Sequence, residues 1–266
     1  MRAKSTSALL GLCSLVAGCV SESRGYREVQ DVVSERTQAQ VKWRRIDEDP
    51  KREQAVQQLL RQPLTAKAAV QLGLLENLDI QAKFESLRAA QGKLLQARAP
   101  RNPEAEASFG FRRKHSTNVE LSVSEELTNL LFLPGANRAA EAELDAESLA
   151  VATEVIDFVF DTERAFLRYQ AAAKQLEIHT KLVAAERGQL EAARAIHAAG
   201  NITDLALLGF ESSAREAEVA LDGARQDASD KKEALTEQLG LWGKNVNFKV
   251  APLTQGARHP SAPMAW

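Results

Sequence analysis

The chain has 266 residues and a formal charge of −2, a length for one or two domains and a charge that argues weakly against a nucleic-acid partner. It has two cysteines, Cys13 and Cys19, so the sequence beyond them holds no thiol for a disulfide or a thiolate metal cluster. Aromatics make up only 5%, while Ala, Glu, Leu, Arg and Gln abound, a mixture suited to long helices and coiled coils.

Residues 1–18 read as a leader. Arg2 and Lys4 precede SALLGLCSLVAG, an apolar run about a dozen residues long. A bilayer span needs about 20, so the run fits the h-region of a secretory signal. Val16-Ala17-Gly18 ahead of Cys19 resembles the bacterial lipobox. That resemblance implies cleavage before Cys19 and lipid on its thiol. Small residues admit the peptidase to the backbone, and the thiol is the nucleophile that accepts the diacylglycerol. Val20, where inner-membrane lipoproteins tend to carry Asp, implies the outer membrane. An ordinary signal peptide with an incidental cysteine is the alternative. Loss of Arg2 and Lys4 with the leader takes two positive charges from −2, leaving −4.

Residues 19–62 are assigned as a lipid-anchored N-terminal tether; 20–50 are polar and mixed in charge and read as extended chain behind the lipid. Trp43 either docks it on the body or sits in a free linker. From Leu64 to Pro100, Ala69, Leu72, Leu75, Leu78, Ala82, Leu87, Ala90, Leu94 and Ala97 recur at helical steps. Thr65 suits a helix cap, and Asn77 with Asp79 marks a bend between two helices. Pro100 and Pro103 end the segment.

Residues 105–127 are assigned as strands, and within them 106–114 and 118–127 each alternate with period two. Ala107, Phe109 and Phe111 interleave with Glu106, Ser108 and Gly110; Val119, Leu121 and Val123 interleave with Glu120, Ser122 and Ser124. This rhythm suits a transmembrane β-barrel strand, with Phe109, Phe111, Val119, Leu121 and Val123 on the lipid side. From the two strands alone, a small soluble hairpin is the simpler reading.

LPGAN, residues 133–137, reads as a turn. A helical hairpin then spans 136–240. Its first arm runs from Arg138 to Ala198 without proline and with one glycine, Gly188. Leu144, Leu149, Ile156, Phe160, Leu167, Leu176, Leu182, Leu190 and Ile196 mark an apolar stripe, and alanines let helices approach closely. AAGNITD breaks the arm. Gly200 suits a left-handed helix end, and Asn201 or Thr203 suits the cap of the second arm, from about Ile202 to Leu239. The expected fold is mainly α, with long antiparallel coiled-coil hairpins and a short two-stranded β segment.

Several of these stretches together resemble the TolC-like outer-membrane efflux family, in its lipoprotein branch. PLTAKAAVQLGLLENLDIQAKFESL resembles the family's opening helix, and QARAPRNPEAEASFGF its passage into the first strand pair. LPGANRAAEAEL, AAGNITDLALL and LTEQLGLWG resemble the return helix, the hairpin tip and the end of the first repeat. Together they span Leu64 to Gly243, and residues 63–243 are assigned as that first repeat.

The resemblance implies a protomer of a passive exit duct for small molecules or ions. Three chains of the family build one tube, a β-barrel in the outer membrane continued by an α-helical barrel in the periplasm. Implied partners are a periplasmic adaptor (membrane fusion) protein, an inner-membrane pump, outer-membrane lipid and further copies of the chain. Ala199, Gly200, Asn201, Ile202, Thr203, Asp204 and Leu205 correspond to the tip that meets the adaptor; capping of two helices explains the same residues. With the resemblance, the membrane reading of the strands becomes the stronger one.

Family members carry the repeat twice, and this sequence carries it once. Residues 244–266 read as an irregular tail, expected of a truncated gene or a shifted frame. A two-stranded contribution then calls for six copies, for a partner chain, or for no channel. The rival reading is a lipid-anchored periplasmic coiled coil that recruits partners, or a non-transporting duct fragment. No enzyme is expected. The four histidines, His115, His179, His197 and His259, lack metal-ligand spacing, and no HExxH, GxSxG or GxxxxGK[ST] occurs. No catalytic residue, metal or cofactor is expected.

Overall fold

The structure, a computed structural model, describes residues 24–43, 49–99, 104–112, 116–124 and 127–252. Its helices are α1 (Arg24–Thr37), α2 (Asp49–Leu60), α3 (Ala66–Glu76), α4 (Leu78–Arg98), α5 (Leu127–Ala198) and α6 (Asp204–Gln238). Strands β1 (Glu104–Arg112) and β2 (Ser116–Ser124) lie between α4 and α5. No described helix is long and apolar enough to cross a membrane. The leader, Cys19 and the segment 253–266 lie outside the described residues.

The chain divides into two units, Met1–Val32 with Lys83–Ala152 and Val33–Ala82 with Thr153–Trp266. In the first, Ala90 and Leu94 of α4 pack with Ala140 and Leu144 of α5. Lys93 pairs with Glu143 and Arg98 with Glu141, so the two helices run antiparallel. Gly25 of α1 sits so close that a Cβ there would lie 3.0 Å from Ser148 Oγ and 3.2 Å from Leu144 Cδ1. Tyr26 meets the buried Phe84 edge to face at 5.6 Å. Strands β1 and β2 pair antiparallel, with Ala107 opposite Leu121 and Phe109 opposite Val119. Phe109, Phe111, Val119, Leu121 and Val123 therefore share one face of the ribbon by register.

The second unit is built around Val56, Leu64, Leu72, Phe166, Leu235, Leu239 and Phe248. Helix α3 lies close against α5 at Gly73, where a Cβ would come within 2.9 Å of Phe158 Cζ. Thr65 caps α3 by accepting from Ala68 N–H at 3.2 Å. Asn77 ends α3 and starts α4. Its Oδ1 accepts from the N–H groups of Asp79 and Ile80 at 2.9 and 3.2 Å, and its Nδ2 donates to Gln238 O at 3.1 Å. Gln238 Nε2 donates in turn to Thr162 Oγ1 at 3.2 Å. One asparagine thus supplies the acceptor for the orphan donors of a helix start and ties the bend to the end of α6.

Three sequence expectations are corrected. Residues 24–37 are helix, not extended tether, because Gly25, Val29 and Val33 recur every fourth residue and are buried. Helix α2 lies in the same stretch, and Val56 enters the core. LPGAN is not a turn: α5 begins at Leu127 and carries Pro134 inside it. Pro134 is the eighth residue of a 72-residue helix, so the lost hydrogen bond near one end, at about 3 kcal/mol, is outweighed along the rest.

The apolar stripe on α5 is also displaced. Leu149, Phe160, Leu167, Leu182 and Ile196 are exposed. The buried line is Ala140, Leu144, Ser148, Val151, Val155, Phe158, Thr162 and Phe166, in steps of three and four. Its two hydroxyls are satisfied by donating one turn back, Ser148 to Leu144 O at 2.9 Å and Thr162 to Phe158 O at 2.7 Å. Residues 244–252, the start of the stretch expected to be an irregular tail, form a short 3-10 turn and an isolated bridge and pack on the second unit. Phe248 is buried against Tyr169 at 6.3 Å, and Leu64 exchanges backbone hydrogen bonds of 2.8 Å with Lys249 and Ala251.

Candidate functional site

The site with the clearest construction is the α5–α6 hairpin tip, within the second unit. Alanines bring its arms together: Ala193, Ala214, Ala217 and Ala228 are buried. Val183, Ala217 and Leu221 form the apolar seam, with Leu176 packed against it. Arg187 pairs with Glu218 at 2.6 Å and Arg194 with Glu211 at 3.1 Å across the arms, fixing an antiparallel register. The 35-residue α6 is about 50 Å long at 1.5 Å per residue, so the tip is held far from the core of its unit.

Glu177, on the same arm, accepts from Lys174 at 2.7 Å and Lys181 at 2.6 Å. Those two hydrogen bonds, and the charges behind them, bring its carboxyl down to about 2. His179 lies half-buried nearby in sequence, and its Nδ1 has no hydrogen-bond partner among the described residues.

The turn itself is made by the backbone. Gly200 has φ +79° and donates to His197 O at 2.8 Å, while Asn201 N–H donates to Ile196 O at 3.1 Å. These are the crossed bonds that satisfy carbonyls at a helix end. Thr203 accepts from Ala206 N–H at 3.2 Å and caps α6. Of the two cap candidates, Asn201 and Thr203, the structure selects Thr203. Ile202 is half-buried, and Ala199, Gly200, Asn201, Thr203, Asp204 and Leu205 are exposed. Leu205 is 79% and Leu208 59% exposed, so the tip presents apolar side chains beside bare backbone.

Ala199 to Thr203 connect the two helices, and Asp204 and Leu205 begin α6; sequence reasoning grouped Ala199 to Leu205 as the tip. It missed His197, whose Nε2 lies 2.7 Å from Asp204 Oδ1. The available signal was a histidine in the last turn of one helix and an aspartate in the first turn of the next. The strand-face residues are brought together by register in the other unit, and Cys19 lies outside the described residues. Among the described residues, no three His, Cys, Asp or Glu side chains converge as a metal site would need.

The family model described as outer membrane efflux protein matches residues 69–241. No curated protein matches the chain. Among solved structures, the chain is similar to CusC, crystallised in a study of folding and transmembrane channel formation. The TM-score is 0.58 at 18% identity, over 71% of this chain and 46% of that one. It is equally similar to a membrane protein from Pseudomonas aeruginosa, with TM-score 0.58 and 18% identity over 73% of this chain and 48% of that one. At such identity the likeness is one of fold. The chain spans about half the length of both structures.

Proposed function

Because the chain belongs to the outer membrane efflux protein family, whose members are non-enzymatic ducts, we propose that it is a channel component of a tripartite efflux system. The observation that carries the reading is the extent of the family match, which runs from Ala69 within α3 to Leu241, three residues past the end of α6, and takes in the α5–α6 hairpin. The protein is then a passive exit for small molecules or ions, and an inner-membrane pump supplies the work.

Its location is the outer membrane. The odd-numbered face of β1 and β2 meets lipid, the lipid on Cys19 anchors the N-terminus, and the α5–α6 arms stand in the periplasm. Unpaired strand edges are heavily penalised in hydrocarbon. Two strands cannot close a barrel, so further strands complete it, from other copies or a partner chain. The tip, Ala199 to Leu205, meets the periplasmic adaptor, where Gly200 leaves no side chain between approaching backbones.

The test is photo-crosslinking in cells that carry an adaptor and pump. A crosslinker at Asn201 or Leu205 should capture the adaptor, and one at Gly188, about three turns back, should not. Equal capture from all three positions, or capture from none, would sink the adaptor reading.

A further inference from the structure

His197 closes the tip in two ways. Its carbonyl takes the N–H of Gly200, and its ring reaches across the turn to Asp204. The two side chains sit where helix dipoles favour their charges, a cation in the last turn of α5 and an anion in the first turn of α6. The other charged side chains within two turns of the tip are Glu191, Arg194 and Glu211. Glu191 is exposed, and Arg194 and Glu211 are taken up by each other at 3.1 Å. Asp204 is therefore the carboxylate that faces the ring. It is 91% exposed and the imidazole 34%, so protons reach the pair from solvent.

We propose that His197 and Asp204 form a proton-operated clasp on the hairpin tip. With a proton on both ring nitrogens, the imidazolium donates to the carboxylate as an ion pair and holds the turn closed. Loss of one proton to solvent leaves at most a neutral hydrogen bond, and the favourable interaction with the α5 C-terminus goes with it. Histidine as a class changes charge between about pH 5 and pH 8, and aspartate only in more acidic solution, so the clasp is closed in mild acid and loosened above neutrality. This device concerns the order of the turn and is independent of what the tip binds.

The test is amide exchange of the full chain in detergent, corrected for intrinsic rates, at about pH 5.5 and about pH 8. The reporters are Gly200 and Asn201, whose N–H groups make the turn's hydrogen bonds. Their protection should fall about threefold on going to the higher pH, the scale of a partly exposed ion pair. Asp204→Asn and His197→Gln should each flatten that dependence, and Glu211→Gln should preserve it. Thr203, not Asp204, caps α6, so the asparagine variant keeps the helix start. Equal protection at both pH values in the unaltered protein overturns the clasp. So does a pH dependence that survives in both Asp204→Asn and His197→Gln.

Discussion

Gly240 and Gly200 both adopt left-handed backbone, yet for different reasons. At Gly240, φ is +67° and a Cβ would lie 2.8 Å from Asn77 Cα and Glu76 O. At Gly200, φ is +79° and the space is open. Alanine at Gly240 should therefore cost about 3 kcal/mol, from strain plus a backbone clash, and at Gly200 only about 1. Chemical denaturation of the full chain in detergent checks the difference. Asn77→Ala should cost about 2–3 kcal/mol in the same assay, because it strips partners from two helix-start donors and from Gln238 O. Glu177 gives a pH prediction. Its folded-state value is depressed, so its pairing is present above the usual carboxylate range and is lost as pH falls toward about 2. A carboxyl titration followed by NMR should show that midpoint at low salt. Lys174→Gln or molar salt should move it upward; no movement would mean the two lysines are not the cause.

At the scale of elements, caps and glycines were legible and burial was not. Thr65, Thr203 and Gly200 act as local chemistry dictates, since a hydroxyl or a missing Cβ acts within three or four residues. Thr203→Ala should lower thermal stability by about 1 kcal/mol, and its loss should appear first as fraying of α6. Gly188 is exposed within α5, and a Cβ there meets nothing within 4 Å. Gly188→Ala should therefore stabilise by up to about 1 kcal/mol, measured by the same melt. The stripe on α5 was misplaced because large apolar letters were taken as its markers. Its true line contains Ser148 and Thr162, which are buried at little cost because each hydroxyl finds a carbonyl one turn back. Helix α1 escaped because its fully buried line is narrow, Gly25, Val29 and Val33, flanked by half-buried Tyr26 and Val32 in a helix otherwise rich in charge.

For the whole molecule, the decisive predictions concern membranes. Leu121→Arg places a charge on the strand face proposed to meet lipid, at a cost of about 2–4 kcal/mol near the bilayer midplane and less toward the interface. Outer-membrane assembly, followed by heat-sensitive mobility in membrane extracts, should fail in this variant. Unchanged assembly would favour the periplasmic coiled coil over the channel. Cys19→Ser should abolish incorporation of labelled lipid; labelling that persists would remove the anchor from the scheme.

The sequence by itself determined what depends on neighbours along the chain: helix periodicity, the break at Asn77, the caps, the turn at Gly200 and the ordered stretches that resemble one family. Tertiary structure alone decided which faces are buried. It also decided that residues 24–37 join the body, that Pro134 stays within a helix, and that His197 meets Asp204. The physical reason is common to all of these. A cap or a turn is satisfied within a few bonds, whereas burial depends on which surfaces distant segments bring together. A marginal local preference, such as proline in a helix or serine in a core, is then overridden by what packs against it.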